Sequence, residues 1–394
     1  MSVFEQLRPF VSLCQACGMI PFTVEQNQIT NKFEKFTFSF RHLTTWWFFL
    51  VMVMETVVMG VMGYVSLTQS LDLLMVQNLP ITVIILLLGI AISYAIQIIL
   101  SRWIVLHYRQ LGNVVKVIQE VEKLFGEKFI SRHPSSVTSR FVIGFILVIT
   151  SAVCALILSS PVHRQFSSLI YVYISSSTAI FFAIALVYAL FECTFFFFYM
   201  CYYIIAYYVQ LLIIRSDVEA IAEKQTTSRK TKESVGMLKE NILILNYLCE
   251  ASQQLNGIFS VPVLVLLTTK FISVVTSAFT YIFNYFIHSN VVLDSYSWWF
   301  LFTFFTDWIK ILILLTAADM PANQVRLLRE KITVISSSEL SQSLAEKIAL
   351  MTSLVQIDEN RVRLSAAGLF KVGMHLVPAL AGAVVTYMVI LLQN

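Results

Sequence analysis

The fifty residues 165–214 carry a single charged side chain, Glu192. No water-facing surface can be built from such a stretch, and as one α-helix it would extend about 75 Å. Comparable apolar runs, each near the ~20 residues that cross a bilayer, recur along the 394-residue chain. Charged residues make up 13% of the sequence and hydrophobic residues 58%, against roughly 25% charged in soluble domains. The runs are continuous rather than alternating, which excludes a transmembrane β-barrel. The reading is an all-α membrane protein with seven transmembrane helices, at about 44–66, 79–101, 140–160, 168–191, 258–286, 297–318 and 372–393.

Counting seven spans requires 165–214 to hold one span and a helical extension rather than two spans folded at Glu192. No Gly or Pro occurs from Val162 to Val235, so nothing marks a hairpin there. Charge sorting decides the matter. With seven spans, Lys and Arg number four before span 1, seven between spans 2 and 3, six between 4 and 5, and seven between 6 and 7, with Arg164 alone on the other side. The positive-inside rule then places the N-terminus in the cytosol and the C-terminus outside. The N-terminal residues show no signal-peptide pattern. The expected organisation is a cytosolic segment 1–43, spans 1–4 over 44–212, a cytosolic extension and loop 213–257, spans 5 and 6 over 258–318, cytosolic helices 319–371, and span 7 over 372–394.

The cytosolic side carries structure of its own. Gln225–Ser234, "QTTSRKTKES", is polar and basic and reads as a mobile loop. "LKENILILNYLCEASQQL" has helical spacing and leads into span 5, with Pro262 expected to bend that entry. The stretch "SSSELSQSLAEKIALMTSLVQIDENRVRLS" reads as a further helix, capped by Ser337 or Ser338, with an apolar stripe of Leu340, Leu344, Ile348, Met351 and Val355. These extensions are expected to pack together below the membrane. Cys14 and Cys17 form a C-x-x-C with no second ligand pair nearby, so neither a metal nor any other cofactor is expected. The basic loops suit topology and anionic lipid rather than nucleic acid.

Four ionisable residues fall deep in the spans: Glu55, Lys270, Asp307 and Lys310. Glu55, Lys270 and Asp307 lie roughly 15–18 Å from a span end, which is mid-depth in a core of about 30 Å. A lone charge there is costly, so Asp307 is expected to pair with Lys270, Lys310 or both. Such a pair either fixes helix register or forms a polar floor that couples span 6 to its surroundings.

The C-terminal sequence carries a family resemblance. Thr386-Tyr387 is followed by "MVILL" and Gln393. With "LSAAGLFKVGMHLVPALAGAVV" upstream and "CGMIPF" near the N-terminus, the chain resembles the insect seven-helix chemosensory receptors, the gustatory and odorant receptor superfamily, and gustatory receptors in particular. Asn394 stands where that family usually has Phe, and Met388 where sugar receptors often have Glu, so the chain is not assigned to the sugar group. The resemblance implies a plasma-membrane homotetramer that acts as a ligand-gated, non-selective cation channel. The last helix of each subunit would line a shared pore, cytosolic helices would form an anchor domain, and a small-molecule tastant would bind in the outer half of each bundle.

With Gln393 facing the axis, helical spacing brings Ile390 or Val389, Thr386, Ala383 or Gly382, and Ala379 to the same face. Gln393 amides suit weak cation selectivity and Ile390 a hydrophobic constriction. Gly373, Pro378 and Gly382 would ease bending, with Pro378 freeing a carbonyl near Met374 as a hinge. The same small residues also promote ordinary helix packing, and Tyr387 also suits a packing or interfacial role. Pocket candidates are Tyr171, Tyr173, Phe181, Phe279, Tyr281, Tyr285, Trp298, Trp299, Phe302 and Phe305, aromatics that suit small organic ligands, although Trp298 and Trp299 also fit an interfacial belt. A G-protein-coupled-like receptor and a transporter are the rival seven-helix functions. The first usually has its N-terminus outside and signature motifs that this chain lacks. The second usually shows internal repeats. No enzyme motif is present, so catalysis is not expected.

Overall fold

The computed structural model describes residues 11–57, 102–126, 197–216, 231–287, 295–338 and 357–393, apart from positions 13, 17, 19, 27–32, 55 and 104. Within these ranges, 33–35, 231–239, 283–287, 295–300, 334–338 and 392 are described by backbone alone. The expected spans 2 and 3, the stretch 168–191, the tip 225–230, Glu55 and the stripe from Leu340 to Val355 lie outside the described residues.

The described N-terminal part opens with a short helical turn and a two-stranded antiparallel hairpin, β1 (Thr23–Gln26) and β2 (Phe33–Thr37), which the sequence reading did not anticipate. The hairpin packs through β2 on α2 (Tyr108–Phe125), and the residues flanking it meet the start of α1 (Leu43–Met54). The Thr45 hydroxyl, fully buried, reaches the carbonyls of Pro21 (3.0 Å) and Ser39 (2.8 Å). The indole N–H of Trp47 donates to the carbonyl of Ala16 at 2.7 Å. Gly18 has φ 69°, and a Cβ there would lie 2.7 Å from the Val51 side chain. Glycine is therefore required twice over in "CGMIPF", by backbone conformation and by space, and the turn delivers Ile20 and Phe22 to the core. The opposite face of α1 presents Leu43, Trp46, Leu50 and Val53, followed by Val57, all exposed at spacings of three and four residues. Such an apolar stripe suits a membrane rather than water.

Helix α3 (Phe197–Ser216) is buried along most of its length, with Phe198, Tyr202, Ile205 and Tyr208 nearly inaccessible. It is tied to α2 where the Tyr208 hydroxyl donates to the Glu122 carboxylate at 2.6 Å. Arg215 at its end pairs with Glu240 of the next helix at 2.7 Å.

Helix α4 (Thr231–Ile287) is the organising element and packs against α2, the following long helix and the terminal helix. It begins four residues inside the stretch expected as loop, since Thr231–Ser234 is helical. Straight-chain Lys and Glu, abundant in "TKESVGMLKEN", favour helix enough to extend it. It also runs through Pro262. A proline in a helix interior has no N–H for the carbonyl four residues back, here Ile258. The indole N–H of Trp103 donates to that carbonyl at 2.9 Å, so the orphan acceptor is satisfied from another part of the chain and the helix continues.

Helix α5 (Ser295–Ser338) likewise outruns the expected span. Ser337 and Ser338, expected to cap a new helix, are its last residues. The segment before the terminal helix is not helical to Ser365 as expected. It forms a 3-10 turn (Glu359–Arg361), opened by Asp358 accepting from the Asn360 amide, and then a tight hairpin, β3 (Ser365–Ala366) with β4 (Phe370–Lys371). Asp and Asn side chains bonding the local backbone compete with helix. Ala367 and Gly368, both at positive φ, make the turn. This strap lies along α4: Ser252 donates to the carbonyl of Val362, Asn256 accepts from the Ser365 amide, and the carbonyl of Ser260 accepts from the Ala367 amide. Residues 252, 256 and 260 are spaced one turn apart, so they form a single polar rail.

Four described helices are long and apolar enough to cross a membrane: Phe197–Ser216, Glu240–Ile282, Leu301–Thr333 and Met374–Leu391.

Candidate functional site

The terminal helix α6 (Val377–Gln393) follows a 3-10 turn, Met374–Leu376. Pro378 therefore stands in the first turn, where a missing N–H costs nothing. The hinge expected from it is corrected: Pro378 starts the helix instead of breaking one. At 3.6 residues per turn, Val377, Leu380, Val384, Met388 and Leu391 fall within about 40° of one line along the helix. All five are half-buried, as are Ala381 and Ala383, and Val377, Leu380 and Val384 pack on the core. Within about 40° of the opposite line fall Ala379, Gly382, Thr386, Val389 and Gln393, and all five are exposed.

Of the alternatives left open by spacing, Val389 (47% exposed) and Ile390 (46%) flank the line on its two sides, about 40° and 60° away. Gly382 lies on it, with open space where a Cβ would be, whereas Ala383 is half-buried at its edge. The exposed Thr386 hydroxyl donates to the Gly382 carbonyl at 2.9 Å. Tyr387 sits off this row and meets Phe271 of α4 edge-on at 6.0 Å.

Next to Phe271 in sequence, Lys270 belongs to a buried ionic cluster. The Lys270 ammonium on α4 donates to Asp307 Oδ1 on α5 at 2.8 Å, and the Ser273 hydroxyl to Oδ2 at 2.5 Å. Lys310 Nζ stands 4.0 Å from the same carboxylate. The Asp307 side chain is only 5% exposed. A carboxylate this buried is tolerable only with its oxygens engaged, as here. The cluster joins two membrane-length helices at one level.

Of the aromatic candidates, Phe279 is buried, Tyr281 and Phe302 half-buried, and Phe305 is exposed on the outside of the bundle, edge-on to Phe304. Trp298, Trp299 and Tyr285 are helical but described by backbone alone, and Tyr171, Tyr173 and Phe181 lie outside the described residues. Sequence reasoning missed Asp319. Its carboxylate on α5 accepts from the Met374 amide at 2.6 Å, where the terminal segment begins. The only sequence signal was an acid just past an apolar run, with a glycine, Gly373, five residues before span 7's proline and no periodicity to link the two.

The sequence model of the 7tm chemosensory receptor family matches residues 7–393. A search of curated proteins finds no match. Among solved structures, the insect olfactory receptor OR5 from Machilis hrabei is similar over 99% of this chain and 98% of its own, with a TM-score of 0.69 at 13% identity. The same receptor in complex with eugenol matches with a TM-score of 0.63, 11% identity and the same coverage. At such identity these likenesses speak to fold, and the family match speaks to kind: a membrane receptor family and not an enzyme family. The chain belongs to the 7tm chemosensory receptor family.

Proposed function

We propose that the protein is a gustatory-type receptor of the plasma membrane, a ligand-gated, non-selective cation channel built from four copies. The observation that carries this reading is the exposed row Ala379, Gly382, Thr386, Val389 and Gln393 on a membrane-length helix. A purely lipid-facing row would favour large apolar groups. This one places a glycine, a hydroxyl and an amide opposite the packed face, groups suited to close approach between helices and to contact with water. Four such rows around an axis give a pore narrowed by Val389 and Ile390, with uncharged Gln393 carbonyl dipoles for cations.

The N-terminus is cytosolic and the C-terminus extracellular in this reading. The polar rail of α4, the strap and the extended ends of α4 and α5 belong to the cytosolic anchor. The activating ligand is a small-molecule tastant bound among the aromatics of the outer bundle. The relative OR5 has been seen with eugenol, a small phenolic compound, which supports a ligand of that size class. The test is expression in a null cell with current recording against sugars, amino acids and bitter compounds, alongside Gln393→Glu. Evoked cation current whose relative permeability to calcium rises in the variant supports the reading. Evoked current indifferent to Gln393→Glu contradicts the pore assignment.

A further inference from the structure

Where the terminal segment begins, a carboxylate of another helix is bonded to its backbone. Asp319 of α5 points at residues 373–374, and its Oδ2 accepts the Met374 amide at 2.6 Å. The approach is so close that a Cβ on residue 373 would lie 2.3 Å from Oδ1, 2.7 Å from Cγ and 2.8 Å from Oδ2. Gly373 has an extended backbone, φ 173°, which any residue can adopt. Glycine is needed here for space and not for conformation, and what occupies that space is the carboxylate. One turn earlier on α5, the Thr316 hydroxyl reaches Met374 Sδ at 3.3 Å. The carboxylate meets the helix at its amino end, where free N–H groups and the helix dipole favour a negative charge. Asp319 thus caps the terminal helix from a different helix, and α5 is also the helix that carries Asp307 in the ionic cluster.

We propose that Asp319 and Gly373 form a latch through which displacement of α5 is transmitted to the terminal helix and sets its opening. The proposal rests on the channel reading above and adds the element that couples bundle to pore. A rigid carboxylate–amide bond makes the start of α6 follow α5. Without it the two helices move separately, held only by side-chain packing. Asp319→Ala removes the acceptor. Gly373→Ala leaves Asp319 in place and expels its carboxylate. Two different changes therefore break one contact.

The experiment uses the full-length protein reconstituted in planar bilayers, with potassium and caesium as permeant probes, first without organic ligand and then with the same panel of sugars, amino acids and bitter compounds. It compares the open probability of wild type, Asp319→Ala, Gly373→Ala and the double variant. The expected result is that both single variants move the closed-to-open ratio in the same direction by about tenfold, the scale of one charge-assisted hydrogen bond, and that the double variant moves it no further. Unit conductance stays at the wild-type value, which a merely misfolded pore would not give. Thr316→Cys with Met374→Cys in the Asp319→Ala background provides a second measure: oxidation should return the open probability to the wild-type value and reduction should undo this. Additive effects of the two single changes, or an unchanged open probability in either, overturn the latch while channel activity in wild type upholds the channel reading. A reconstituted wild type that carries no current either at rest or with the sugars, amino acids and bitter compounds of the panel above overturns both.

Discussion

Replacing Asp307 by Asn is the sharpest perturbation of the helix bundle. The substitution keeps shape but removes the charge that Lys270 meets at 2.8 Å, and it exchanges an acceptor for a donor beside either Lys270 or Ser273. Removing one partner of a buried pair costs about 3–5 kcal/mol, because the remaining ion stays desolvated. Lys270→Met should cost a similar amount by leaving the carboxylate short of its nearest cation, with Lys310 at 4.0 Å giving partial relief. The double variant loses the attraction but also both ions. It should cost no more than the worse single change, so the coupling energy is roughly 3 kcal/mol. Ser273→Ala removes one hydrogen bond to a charged group and should cost about 1.5–3 kcal/mol. The assay is unfolding of the purified protein in mixed micelles titrated with a denaturing detergent. Single changes that add within about 0.5 kcal/mol in the double variant would show that the two groups do not interact energetically, and the cluster would lose its role in joining α4 to α5.

Two further predictions follow from the backbone. Gly18→Ala forces a positive φ on alanine and a methyl group 2.7 Å from Val51; a loss of about 2–4 kcal/mol, read by the same titration, is expected from strain and overpacking together. Trp103→Phe removes the donor to the Ile258 carbonyl that Pro262 leaves open and should cost about 1–3 kcal/mol. In a Pro262→Ala background, where the helix supplies its own N–H, the same change should cost distinctly less. Equal costs in both backgrounds would mean that the indole does not compensate for the proline.

The sequence was informative where one physical constraint acts alone. The apolar stretches 258–286 and 297–318 fall within α4 and α5, and an Asp flanked by lysines in greasy helices meets Lys270 as the cost of a bare charge requires. It was uninformative where distant segments supply what local sequence lacks. Pro262 suggested a bent entry, and nothing in its neighbourhood indicated that Trp103 would satisfy the freed carbonyl. The strap was read as helix as far as Ser365, carried on from an apolar stripe that ends at Val355, but Asp358, Asn360 and a Gly-containing turn prefer local bonds, and the rail Ser252–Asn256–Ser260 holds it as a hairpin. The latch was illegible for the same reason, since the meaning of Gly373 lies in Asp319, fifty-four positions earlier. On the terminal helix, spacing alone allowed Val389 or Ile390, and Gly382 or Ala383. The packed line through Val377, Leu380 and Val384 sets Gly382 rather than Ala383 opposite, and leaves Val389 and Ile390 flanking that position on its two sides.

The central claim, that this opposite line faces a conducting axis, is tested most directly by cysteine scanning of residues 379–393 with a charged, membrane-impermeant thiol reagent during current recording. The account predicts reduction of current at Ala379, Gly382, Thr386, Val389 and Gln393, with Leu380, Val384 and Met388 unaffected. Modification without that periodicity, or confined to the packed line, would contradict it.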